Sequence, residues 1–144
     1  MSDDLFRFSI PITVRYRDID AQGHVNHAAY FSFMEQARVE YVRQLGLWTS
    51  GRWDDLGFII VEACCTYERP IYYGDPVVVW LRVSRLGNKS LHMAYRIEAA
   101  GALAAQARTV SVCYDYRVGA TRPIPESWRA TITEYEPALR RLSR

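Results

Sequence analysis

One stretch of helical spacing stands alone in a chain otherwise patterned with period two. Tyr30, Met34, Ala37, Tyr41 and Leu45 fall four, three, four and four residues apart, which puts them on one stripe of a helix. The spacing predicts a helix over residues 27–45, with Asn26 as its N-cap and Gly46 as its stop. Before it, Phe6, Phe8, Ile10, Ile12, Val14 and Tyr16 alternate with mostly polar residues, the pattern of a half-buried strand. Pro11 falls on the other face and predicts an edge position or a bulge. After the helix, period two returns: residues 58–67, then Val77, Val79, Leu81 and Val83, then Leu91, Met93, Tyr95 and Ile97. A last strand, 104–116, is read with Val110, Val112 and Tyr114 on one face. The breaks between them carry Gly74-Asp75-Pro76, Leu86-Gly87-Asn88 and Ala99-Ala100-Gly101-Ala102. Short turns between successive strands make an antiparallel sheet, and a lone helix must bury its stripe on that sheet. Residues 1–144 are read as one domain, with a tail from Pro125 that is a short helix or irregular.

Composition removes several function classes. Charged residues make up 24% of the chain and the formal net charge is only +2, so the basic footprint of a nucleic-acid binder is absent. No apolar run approaches the roughly 18 residues of a membrane span, so no stable membrane insertion is expected. The start, MSDDLFRFSI, carries acids where a secretory signal would be basic, which points to a cytoplasmic protein. Cys64, Cys65 and Cys113 form neither a disulfide framework nor a metal pair, and they read as reduced, buried small hydrophobes. There is no GxSxG elbow, no Walker loop and no GxGxxG.

The densest polar cluster, Asp18, Asp20, His24, Asn26 and His27, lies between the first strand and the helix. A helix N-terminus offers unpaired N–H groups and a positive dipole end that can hold an oxyanion. A carboxylate just upstream can activate water or attack directly, which suits acyl transfer. From the residues alone, Asp18 and Asp20 serve equally well as turn and capping groups. Hard and borderline ligands crowd here too, but their spacing matches no zinc signature, and no metal site is expected.

The segment VRYRDIDAQGHVNHAAYFSFMEQAR (14–38) resembles the signature of the 4-hydroxybenzoyl-CoA thioesterase family of the hot-dog superfamily: D-x-D, a Gly-containing loop, then a helix running to E-x-A-R. YERPIYYGDPVVVWLRV (67–83) resembles the family's second block, Y-x-x-P-x-x-x-G-D before an apolar strand. The resemblance implies an α+β hot-dog fold, a five-stranded antiparallel sheet wrapped around one long helix. It implies an acyl-CoA thioesterase with CoA as part of the substrate and no cofactor. It also implies a homodimer with active sites at the interface, with a dimer of dimers, a homotetramer, as a further step.

By position, Asp20 matches the catalytic carboxylate and His27 the helix-start residue whose amide polarises the thioester carbonyl. His24, Asn26 and Tyr30 are expected around the substrate, in an acyl pocket shared with Met34, Phe58 and Trp80. Lys89 matches a basic position that meets CoA phosphates, although the double-Arg feature of some relatives is absent at 86–88; otherwise Arg69, Arg82 or Arg85 takes that role. Asp18 is expected to hold the turn. Glu35 is the alternative carboxylate, because a related hot-dog subfamily places its catalytic acid on this helix; otherwise it pairs with Arg38 or a neighbour. A hot-dog dehydratase would pair His24 or His27 with Glu35. An acyl-carrier-protein thioesterase and a non-catalytic acyl-binding module complete the alternatives.

Overall fold

The computed structural model describes residues 5–142. Strand β1 (Phe8–Ile12) is followed by helix α1 (Ala29–Gln44) and then by β2 (Phe58–Tyr67), β3 (Val77–Leu86), β4 (Ser90–Ala99) and β5 (Ala102–Asp115). A two-residue strand β6 (Ala120–Thr121) and helices α2 (Glu126–Tyr135) and α3 (Pro137–Leu142) close the chain. The strands run antiparallel in the order β1-β3-β4-β5-β2, with β6 added to β5. The five main strands are those expected, and the tail forms two helices.

The helix stripe drives the packing. Tyr30, Met34, Ala37 and Tyr41 are buried, while Leu45 lies only partly covered. They meet Val77, Val79, Leu81 and Val83 of β3 and Leu91, Met93, Tyr95 and Ile97 of β4, all buried. Truncating a fully covered residue such as Met34 to Ala would cost about 2–5 kcal/mol.

Several elements depart from the expected pattern. β1 is shorter than its alternation, because Tyr16–Asp18 form a single 3-10 turn that redirects the chain toward the polar loop. Pro11 sits on an edge strand, as expected. On β5 the core-facing set is Thr109, Ser111 and Cys113, while Val110, Val112 and Tyr114 lie on the other face, only partly buried. The polar Thr109 is tolerated inside because its hydroxyl lies 2.7 Å from the Tyr95 hydroxyl, which accepts from Arg38 Nη1 at 3.3 Å. That inward turn of Arg38 removes the expected pairing with Glu35, which stays exposed. Trp80 points away from the core and packs beside Phe6, Arg96 and Glu98, so it does not share a pocket with Tyr30. Cys113 is buried, whereas Cys64 and Cys65 are only partly covered because β2 is a sheet edge; all three are free thiols.

The two sheet edges differ. β1 is five residues long and carries Pro11, which cannot donate to a ladder. β2 is ten residues long and exposes Ile60 and Val61, at 39% and 56%. Its pairing with β5 shifts between Ile60 and Glu62, so Val61 stands out of register as a bulge.

Candidate active site

The loop between the 3-10 turn and α1 is shaped by its own acids and glycine. Asp18 is 5% exposed and accepts from the Arg15 N–H at 2.8 Å, with Arg15 Nη2 at 3.2 Å. Its carbonyl accepts from the Asn26 N–H at 2.8 Å, so Asp18 holds the turn. Ile19 and Val25 bridge antiparallel, and the chain reverses between them. Asp20 starts that reversal: its N–H donates to the His24 carbonyl and its carbonyl accepts from Gly23. Gly23 sits at φ 87°, where a side chain would be strained. Asp20 Oδ1 accepts from the Gln22 N–H at 2.9 Å, an Asx turn that fixes the carboxylate's direction.

The start of the helix differs from the cap expected of Asn26. Ala28 occupies the N-cap position and has no capping side chain. Asn26 acts just ahead of it, its Oδ1 accepting from the Ala28 N–H at 2.8 Å and its carbonyl from the Ala29 N–H at 2.9 Å. The His27 N–H meets no acceptor among the described residues. It is an uncommitted donor at the positive end of a sixteen-residue helix.

Asp20, His24, His27 and Tyr30 converge on one cleft of about 380 Å³, together with Gln22, Val25 and the segment Tyr67–Pro70. Asn26 does not line it; its side chain is engaged by the Ala28 N–H instead. The ring of Tyr30 stands edge-on to Tyr67 at 4.8 Å between centroids, and His27 stands edge-on to Tyr67 at 6.2 Å. His24 packs edge-on against Tyr72 at 6.4 Å. The Tyr67 hydroxyl donates to the His27 carbonyl at 2.9 Å. Burial, with Cys65 alongside, pushes the Tyr67 hydroxyl up to about 12 and raises that of Tyr30 as well. Both therefore stay protonated at neutral pH, and Tyr67 serves as a hydrogen-bond donor.

Four of the expected site residues lie away from this cleft within the chain: Glu35, Met34, Phe58 and Lys89. Glu35 lines a separate cleft with Arg38, Phe58, Ile60 and Tyr116, so it does not face the cavity that holds His24 and His27. Met34 is fully buried and Phe58 stands at the far end of β2. Lys89 sits in the β3–β4 turn, where its Nζ donates to Thr121 at 3.0 Å and its carbonyl accepts from Cys113, the cross-strand partner of Phe58. Nine residue steps along β2 separate Phe58 from Tyr67, roughly 30 Å of strand. The sequence reading missed Tyr67 as a wall of the site, although the Y-x-x-P block beginning at Tyr67 marked the segment. Among the described residues, no group of three His, Cys, Asp or Glu side chains comes together where it could hold an ion.

A curled antiparallel sheet around one long helix, with an acid-bearing loop at the helix start, defines a hot-dog fold. The chain belongs to the Thioesterase-like superfamily, whose family model matches residues 14–132. It is 30% identical over 129 residues to the acyl-CoA thioester hydrolase YbgC of Escherichia coli, covering 88% of this chain and 95% of that one. It is 29% identical over 116 residues to the 1,4-dihydroxy-2-naphthoyl-CoA hydrolase of Synechococcus elongatus, covering 78% and 85%. Among solved structures, a thioesterase from Thermus thermophilus complexed with coenzyme A and Zn superposes with a TM-score of 0.82 at 34% identity, covering 91% of this chain and 95% of that chain.

Proposed function

We propose that this chain hydrolyses acyl-CoA thioesters to the free acid and CoA, with Asp20 as the catalytic carboxylate. The observation that carries the reading is a juxtaposition: Asp20 and His27, whose N–H is uncommitted, line the same cleft. The thioester carbonyl accepts from the His27 N–H, which stabilises the oxyanion as it forms. With Oδ1 held by Gln22, the Asp20 carboxylate activates a water or attacks the carbonyl itself. Collapse of the tetrahedral intermediate expels the CoA thiolate, which takes up a proton; in the direct-attack route water then hydrolyses the acyl-Asp20 anhydride, releasing the free acid and restoring the carboxylate. His24 and Tyr30 wall the acyl group. The reaction needs no resident cofactor, and the D-x-D loop supports placement with the 4-hydroxybenzoyl-CoA branch of the superfamily.

The working unit is a homodimer formed through β2, and pairs of dimers can build a tetramer. The long edge with Ile60 and Val61 exposed supports this choice over β1, which is short and blocked by Pro11. A two-fold axis across antiparallel β2 edges brings each Tyr67 end beside the partner's Phe58 end. The partner's Lys89 then comes toward the cleft and meets the CoA phosphates, a contact that Lys89 of the same chain cannot make. None of the described helices is long and apolar enough to cross a membrane, which is in keeping with a cytoplasmic place of action.

Thiol release from a panel of aromatic, short and long aliphatic acyl-CoAs, followed with a thiol reagent, tests the reading. Saturable thiol release supports it. Hydration or dehydration without thiol release would favour a dehydratase, turnover of acyl-carrier-protein thioesters alone would favour that class, and binding without turnover would favour an acyl-binding module.

A further inference from the structure

The peptide group joining His27 to Ala28 is held at both ends by side chains. Its N–H donates to Asn26 Oδ1 at 2.8 Å, and its carbonyl accepts from the Tyr67 hydroxyl at 2.9 Å. The preceding peptide, Asn26–His27, has its carbonyl held by the Ala29 N–H at 2.9 Å, so its own N–H is the group left over. Two consecutive peptide planes are thus fixed, and the uncommitted His27 donor belongs to the first of them. Asn26 acts locally, from within the same turn. Tyr67 acts from forty residues away, at the end of an edge strand, and ties the helix start to the sheet. Its ring is wedged between Tyr30 and His27, which limits the positions its hydroxyl can take.

We propose that Tyr67 is a positioning residue for thioester hydrolysis, clamping the His27–Ala28 peptide so that the adjacent His27 N–H is preset for the developing oxyanion. This rests on the functional reading above. A donor that must be in place before charge develops is effective only if it need not reorganise during the reaction. The Tyr67 hydroxyl stays protonated well above neutral pH, so the clamp holds across the working range. A loosened clamp weakens an interaction made mainly in the transition state, and turnover falls while substrate affinity is largely kept.

Tyr67→Phe removes the hydroxyl and keeps the ring, so the packing on Tyr30 survives. Two readouts decide the matter: steady-state constants on the best acyl-CoA, and amide hydrogen exchange at Ala28 by NMR on the full chain. The expected result is a kcat lower by about 10- to 50-fold with KM within threefold, together with Ala28 exchange about tenfold faster or more. A kcat within twofold of the unmodified protein overturns the proposal, even if exchange rises. A loss of turnover with unchanged exchange also overturns it, since Tyr67 would then act on the substrate directly. If the unmodified protein released no thiol at all, the functional reading would fall and the positioning role with it, while the exchange measurement would still report whether the clamp exists.

Discussion

The Tyr41 hydroxyl, on the buried face of α1, donates a 2.6 Å hydrogen bond to Oε2 of Glu136, just beyond α2. The same oxygen accepts from the Val83 N–H at 2.9 Å, so one carboxylate ties the helix, the sheet and the C-terminal tail together. Burial holds the Glu136 pKa above its ordinary value of 4.5, with the two hydrogen bonds partly opposing that rise. The folded chain therefore binds this proton more tightly than the unfolded chain does. The stabilisation is complete below about 4.5 and is lost as pH rises through the raised folded value.

Glu136→Gln should accordingly flatten the pH dependence of stability. It keeps an acceptor for Tyr41 and Val83 and removes the cost of burying a charge. Thermal melts across pH 4–8 should converge at the acid end, with the variant equal or higher at the alkaline end. Glu136→Ala should instead lose about 1–3 kcal/mol at every pH, because it leaves two buried donors without an acceptor. A Gln variant that falls away from the unmodified protein as pH rises would contradict the assignment.

The exposed β2 edge is the proposed dimer interface. Val61→Asp places a charge on the bulge at the proposed two-fold interface and should turn a dimer into a monomer at micromolar concentration. Turnover should drop by at least tenfold while the melt of the monomer stays cooperative. Sedimentation velocity checks the first outcome and thiol release the second. An active dimer carrying Val61→Asp, or a monomeric unmodified protein, would count against a shared site.

The proposed CoA contact has two candidate cations. Lys89→Ala should raise KM by about three- to tenfold and leave kcat within twofold, the signature of lost uniform binding. Arg69 lines the cleft of its own chain and offers the alternative contact. Saturation curves for Lys89→Ala and Arg69→Ala separate them: an unchanged KM for Lys89→Ala with a raised KM for Arg69→Ala would move the phosphates to the near side.

The parts of the fold that were legible in the sequence were those where one face is polar and the other apolar. β3 and β4 read directly, because Val79, Leu81, Met93 and Tyr95 alternate with Trp80, Arg82, His92 and Ala94 and only the first set is buried. β5 did not, because its core face carries Thr109 and Ser111 and its outer face carries valines. What makes Thr109 acceptable is a chain through Tyr95 to Arg38, which no local spacing reveals. The same holds at the site. Asp20, His24 and His27 lie within one loop, so their proximity was legible. Tyr67 reaches His27 only because the sheet folds back against the helix start. Asn26 was recognised as a capping residue by type, but its side chain serves Ala28 ahead of a helix that starts later than the stripe suggested.

In the proposed reaction Asp20 performs the chemistry and Glu35 does not. Asp20→Asn keeps an acceptor for the Gln22 N–H and removes the charge, so stability should change by only about 1 kcal/mol. Turnover should fall by roughly 10²–10⁴, the range for a lost general base. Glu35→Gln changes an exposed residue in a separate cleft and should leave kcat within threefold. The direct measurement is single-turnover thiol release by Asp20→Asn and Glu35→Gln at equal, verified folding. Loss with the first and retention with the second is the predicted result; near-normal turnover in Asp20→Asn beside an inactive Glu35→Gln would contradict it and make the helix carboxylate the catalyst.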